Sequence, residues 1–177
     1  MRATSLRVLT FAGLATIAAP AVASAGSYLS LGLGGEPALQ GDLKVAATGD
    51  QGGNGRFALG ERFGRLAIEA SLSRFGLADS EATVAGIHLR LAFPLGSHLA
   101  AYGRLGAERL WLGDSQMTTV SGTGSGYVGG GGLEYRVTAP LLGQASLWAE
   151  LSQDEFTTED GAEGGVRLWT LGASVGL

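Results

Sequence analysis

Arg56-Phe57-Ala58-Leu59-Gly60-Glu61-Arg62-Phe63-Gly64-Arg65-Leu66-Ala67-Ile68-Glu69-Ala70-Ser71-Leu72-Ser73 is the stretch on which the fold turns. Phe57, Leu59 and Phe63 alternate with Arg56, Ala58, Gly60 and Arg62. Beyond Gly64-Arg65, Leu66, Ile68, Ala70 and Leu72 alternate with Ala67, Glu69, Ser71 and Ser73. A period of two belongs to an extended strand, whose successive side chains point to opposite faces. Two such runs joined by a Gly-containing pair predict a hairpin with a two-residue turn.

The same period recurs on both sides of this hairpin. It runs through Leu29, Leu31 and Leu33 before it, and through Ile87, Leu89, Leu91 and Phe93 after it. It continues through 99–111, 127–137, 145–153 and 167–177. Eight strands of about ten residues are predicted, the length a tilted strand needs to cross a bilayer. No stretch after the first 25 residues approaches 18 consecutive apolar positions, so helices do not do the crossing. The odd gaps between strands (36–54, 76–82, 112–124, 155–165) are mostly long and polar. The even ones (64–65, 94–98, 138–144) are short or contain a proline. Long loops at one end and short turns at the other are the pattern of an outer-membrane barrel rather than a secreted sandwich. The non-apolar face carries glycine, small polar residues and charges of both signs, as the interior of a small barrel would. Closure would also pair every backbone N–H and C=O, which hydrocarbon demands. The predicted fold is an all-β, eight-stranded, antiparallel transmembrane up-and-down β-barrel.

Composition agrees with a single domain. The 177 residues include 31 glycines and 4 prolines, with 45% hydrophobic and 16% charged residues, too apolar for a disordered chain. Twelve Lys and Arg against 16 Asp and Glu leave no basic face for nucleic acid. The absence of cysteine excludes disulfides, thiolate chemistry and Cys-ligated zinc. Residues 1–25 carry Arg2 and Arg7, an apolar run from Val8 to Ala19, then Pro20 and Ala23-Ser24-Ala25. These are the three regions of a secretory signal peptide, and the run is short for an uncleaved anchor. Residues 26–177 are the expected barrel domain, with both termini in the periplasm.

Gly60-Glu61-Arg62-Phe63-Gly64-Arg65, Phe93-Pro94-Leu95, Tyr102-Gly103-Arg104-Leu105-Gly106 and Gly130 to Val137 follow in an order that resembles the outer-membrane protein A-like and opacity-protein-like family. These are small eight-stranded barrels of Gram-negative outer membranes. The resemblance spans the whole of 26–177. It implies insertion by the barrel-assembly machinery through the C-terminal strand, here Trp169, Leu171, Ala173, Val175 and Leu177, with Leu177 where the family usually ends on Phe. Members with a peptidoglycan-binding domain carry it after the last strand, and none is expected here. Glu61, at a position often aromatic in such sequences, faces lipid by parity but sits beside a turn, at the interface.

Inward parity gathers Arg62, Arg90, Arg104 and Arg136 with Glu69, Glu108, Glu134 and Glu150, and His88 among them. This set reads either as an ion or proton path or as a salt-bridged plug. Eight strands leave room only for side chains, which favours the plug. Arg62 is placed diagonal to Glu69 across the Gly64-Arg65 turn, within reach of an ion pair.

Some eight-stranded outer-membrane enzymes modify lipid A with a Ser, a His and an acid in contact. Here His88 has no serine beside it in its strand, and His98, next to Ser97, falls in a periplasmic turn. Whether either meets a serine in space is left open, and no catalytic residue, cofactor or metal is expected. Asp154, Glu155, Glu159, Asp160 and Glu163 crowd the last external loop without calcium-loop spacing. Gly129 to Gly132 precede no helix and imply no phosphate-binding loop.

Arg74, Arg109 and Arg167 share outward parity at the external strand ends, where they are candidates for lipopolysaccharide phosphates. The chain has 11 Arg and one Lys, which suits paired-fork contacts. The expected protein is a monomer with a structural or surface-interaction role. A lipid A-modifying enzyme and a narrow porin-like channel stand as alternatives.

Overall fold

The structure is a computed structural model that describes residues 26–46, 51–77, 80–113, 122–139 and 143–177. The signal peptide expected over 1–25 lies outside the described residues. Strand β1 (Gly26–Gly34) is followed by the short β2 (Ala38–Gln40) and helix α1 (Gly41–Ala46). Then come β3 (Asn54–Phe63), β4 (Leu66–Leu77), β5 (Ser80–Pro94), β6 (Leu99–Leu112), β7 (Thr123–Ala139), β8 (Gly143–Thr158) and β9 (Glu163–Gly176). Each long strand pairs antiparallel with the next, and β1 pairs with β9 from Tyr28↔Gly176 to Leu33↔Leu171. That last pairing closes an eight-stranded barrel and leaves no wall strand with a bare edge.

Phe57 faces Leu31 on one side and Leu72 on the other, so the quoted hairpin holds the register its periodicity predicts. Its turn is Gly64-Arg65, closed by the Phe63↔Leu66 pair. Gly64 takes a φ of 66°, a left-handed conformation that a two-residue hairpin turn asks of its first residue and that only glycine adopts freely. Across the wall, Leu31, Leu59, Ile68, Ile87, Leu89, Leu105, Leu133, Leu147 and Leu171 point outward and are exposed, Leu105 by 69%. A leucine band so bare fits only a surface covered by hydrocarbon. Phe63, Phe93 and Tyr135 flank it at the end with the short turns, and Trp111 and Tyr127 at the end with the long loops. No helix among the described residues is long and apolar enough to cross a membrane.

Six of the eight wall strands, β4 to β9, overrun the ten residues expected. β5 to β8 have 14 to 17 residues, and the gap expected over 155–165 shrinks to a tight turn closed by Thr158 N–H donating to Ala162 O. The reason is that alternation continues with its chemistry inverted. At the loop end, outward positions become polar (Arg74, Glu81, Thr83, Glu155) while inward ones become apolar. Phe75, Leu77, Ala82, Val84, Leu110, Phe156, Val166 and Leu168 form a buried cluster there.

The expected loop 36–54 also contains structure. β2 adds to β9 through Ala38↔Arg167 and Gln40↔Gly165. Gly41, at φ 62°, turns the chain into α1. The helix sets Leu43 into the same cluster, and Asp42 Oδ2 accepts a hydrogen bond from Glu163 N–H at 3.1 Å.

Candidate functional site: the barrel interior

Arg62, Arg90, Arg104, Arg136, Glu69, Glu108, Glu134, Glu150 and His88 lie on the inner face of the wall, where the ion-paired and imidazole sites form three groups along the barrel. Nearest the turn end, Glu134 is held by three arginines. Arg90 Nη2 reaches Oε2 at 2.5 Å, Arg62 Nη2 lies 3.1 Å away, and Arg136 Nε is 3.0 Å from Oε1. In the middle, Glu69 accepts from Arg56 Nη2 at 2.6 Å and from the Tyr28 hydroxyl at 2.5 Å, with Arg90 Nη1 at 3.5 Å. Glu150 accepts from Arg56 Nη1 and Arg104 Nη2, each at 2.9 Å, and from the Tyr102 hydroxyl at 3.0 Å. Aromatic faces complete these sites, with the Arg90 guanidinium carbon 3.6 Å above the centre of the Tyr102 ring. A charge taken from water into such a space persists only when opposite charges and hydrogen bonds replace its hydration.

Toward the loop end, His88 Nε2 lies 3.0 Å from Glu108 Oε1, and its Nδ1 lies 3.4 Å from Ser71 Oγ on the adjacent strand. The serine absent from His88's own strand therefore comes from β4. The set has the order of a Ser-His-acid relay, but the imidazole has no exposed surface. It fits because two neighbours are glycines: a Cβ on Gly106 would fall 2.1 Å from His88 Cδ2, and one on Gly86 would fall 2.7 Å from Nε2. His98 stays in the exposed turn between β5 and β6, its Nδ1 3.3 Å from Arg136 O.

Three expectations need correction. Arg62 pairs with Glu134 and not with Glu69, since Glu69 is occupied by Arg56 and Arg90. The diagonal placement exists, with Arg62 opposite Ala67 and Glu69 opposite Gly60, but the long guanidinium arm reaches across the interior. Arg56, absent from the predicted set, is central to it, bridging Glu69 and Glu150. Its signal was its parity with Arg62, six residues on. Asp154 is not in an external loop. It is a buried inward residue of β8, in step with Glu150 and Ser152.

Arg74, Arg109 and Arg167 are exposed on outward positions, and the fold does not bring them together. Arg74 on β4 pairs with Glu81 at 2.5 Å, and Arg109 on β6 with Glu159 at 2.8 Å. Arg167 Nε on β9 donates to Gln153 Oε1 at 3.3 Å.

A closed antiparallel barrel with a leucine exterior and an ion-paired interior defines the class: an integral β-barrel of the outer membrane. The sequence matches the family model described as the outer membrane protein beta-barrel domain over residues 8–176, and the chain belongs to that family. Among solved structures it is similar to the crystal structure of Neisserial surface protein A (NspA). That likeness has 17% identity and a TM-score of 0.65, covering 86% of this chain and 97% of that one. It also matches the crystal structure of Ail, the attachment invasion locus protein of Yersinia pestis, at 17% identity and a TM-score of 0.48, covering 85% and 97%. At this identity the NspA likeness is one of fold. No curated protein sequence matches the chain. The protein is thus a small eight-stranded barrel of the cell outer membrane, of the outer-membrane protein A-like and opacity-like kind.

Proposed function

We propose that the protein is a non-conducting, non-enzymatic surface protein, its loop end turned outward and available for adhesion or ligand contact, its interior plugged. The observation that carries this reading is the layered filling of the barrel. Interlocked Arg and Glu side chains occupy the middle and the turn end. The apolar cluster around Leu110, Phe156 and Leu43 occupies the loop end. An ion crossing would have to strip its hydration twice, once against paired charges and once against a dry apolar layer.

The same burial argues against catalysis, because no lipid carbonyl has room beside Ser71 and a fully buried His88. Arg74, Arg109 and Arg167 would meet lipopolysaccharide phosphates, since Glu81 and Glu159, which pair with the first two, are themselves exposed and exchangeable. With every wall strand paired on both sides, nothing in the barrel calls for a partner copy, which favours a monomer. Residues 1–25 would direct export, and β9 would present the C-terminal signal to the barrel-assembly machinery.

Planar-bilayer recording of the refolded protein tests the reading. No stable conductance is expected. Steady stepwise openings would refute the plug and establish the narrow-channel alternative.

A further inference from the structure

The outer wall is uneven around β1. One outward row across β9, β1, β3 and β4 reads Leu171, Leu33, Gly55, Arg74, and the row next to it toward the turn end reads Ala173, Leu31, Phe57, Leu72. Gly55 and Ala173 leave two gaps among large side chains. Gly35, just past β1, lies so close to the Trp169 ring that a Cβ there would fall 2.6 Å from Cζ2. The result is a groove of about 980 Å³. Trp169 and Leu171 wall one side of it, Phe57 and Leu72 the other, and Leu31 and Leu33 lie between. Its volume lies at the upper end of the range for small-molecule sites, about 300–1,000 Å³. Its lining is apolar apart from backbone and arginine, and Arg74 is the one rim arginine that lines it. The Arg74 side chain is 65% exposed and, among the described residues, paired with a glutamate that is 64% exposed.

We infer that this groove seats an acyl chain of lipopolysaccharide, with a lipid A phosphate on the Arg74 guanidinium. The inference rests on the reading in which the loop end faces outward, and it deepens the rim-arginine contact by naming where the lipid chain goes. Within a bilayer, burying a tail gains nothing from the hydrophobic effect, because the surrounding lipid is equally apolar. Association comes from close packing and from polar contacts at the head. A groove touches a chain on several sides where a smooth wall touches it on one, and Arg74 supplies the head contact as a two-pronged donor. An outer-leaflet lipid fits the arrangement because the cation stands at the loop end, with the aliphatic floor running from it toward the membrane centre. A phospholipid of the opposite leaflet would carry its phosphate at the far end of the strands.

Gly55 makes the groove testable. A Cβ built there meets only Leu33 Cδ2 at 3.7 Å and Gly32 O at 3.9 Å, and the backbone is not in the left-handed region. Gly55→Phe should therefore insert normally while its ring occupies the groove. The full-length barrel is refolded into phosphatidylcholine bilayers alone, or with added lipopolysaccharide, de-acylated lipopolysaccharide or phosphatidylglycerol. The reading is the temperature at which the fast-migrating folded band is lost on unboiled gels. Lipopolysaccharide should raise that temperature for the parent. Gly55→Phe and Arg74→Gln should each lose at least half of the rise, and de-acylated lipopolysaccharide should give none. Phe57→Ala, which removes a wall, should lose it too and serves if Gly55→Phe does not fold.

A full rise in Gly55→Phe and Phe57→Ala, or an equal rise from phosphatidylglycerol, overturns the groove. If those variants keep the rise while a triple Arg74→Gln, Arg109→Gln, Arg167→Gln variant loses it, the rim contact stands and the groove falls. If the triple variant keeps it as well, both fall.

Discussion

Replacing Glu69 by Ala tests whether the interior is dry. Glu69 is almost fully buried and receives three donors: Arg56 at 2.6 Å, Tyr28 at 2.5 Å and Arg90 at 3.5 Å. Removing one member of a buried ion pair costs about 3–5 kcal/mol, because the remaining charge is left without water or partner. Here neither arginine is fully orphaned: Arg56 keeps Glu150 at 2.9 Å and Arg90 keeps Glu134 at 2.5 Å. That places the charge penalty near the lower end, about 3 kcal/mol, within which the Tyr28 hydroxyl's lost acceptor also counts. With a urea dependence of about 1–3 kcal/mol per molar, the midpoint should fall by about 1–3 M. Urea titration of the refolded barrel, read by gel mobility and tryptophan fluorescence, measures it. Arg56→Met in the Glu69→Ala background should cost less than in the parent, since the two changes share one interaction. An unchanged midpoint in Glu69→Ala would refute the reasoning, because it would mean that water already solvates the cluster and has a way in.

The imidazole pocket makes a second case. Gly106→Ala forces a methyl to within 2.1 Å of His88 Cδ2 and 2.5 Å of Ile87 O, so thermal unfolding should show a loss of about 1–3 kcal/mol. Adding His88→Ala should recover part of that, and no recovery would place the strain in the backbone alone. At the loop end, Leu43→Ala withdraws a buried side chain from the apolar cluster and should cost about 2–5 kcal/mol if α1 stays docked. Limited proteolysis should then cut within 35–46 faster than in the parent. Equal cutting rates would mean that β2 and the Asp42 contact hold the segment without Leu43.

How much of this was legible beforehand follows from the range of each interaction. Strand identity, the Gly64-Arg65 turn and the side on which each side chain falls are all properties of neighbouring residues. A two-residue period states them directly, which is why Leu31, Phe57 and Leu72 stand outside and Glu69, His88 and Glu150 inside, as the alternation required. The strand ends were harder for the same local reason. Above the hydrocarbon the apolar side turns inward, so Leu77, Ala82 and Phe156 continued their strands in a pattern that reads as polar loop when apolar residues are expected outside.

The pairings needed the closed barrel. Arg62 on β3 and Glu134 on β7 are 72 residues apart and separated by three strands of the wall, and only curvature brings them face to face across the interior. Ser71 meets His88 because the β4–β5 register sets Ser71 beside Gly86, leaving the imidazole free to lean toward it. The groove beside Arg74 exists because Gly55 on β3 and Ala173 on β9 fall on either side of β1, and β9 reaches β1 only when the sheet closes. A strand's periodicity determines which way its side chains point. What each one meets depends on strands far away in the chain, so it was decided by register, closure and the reach of the arginine side chain.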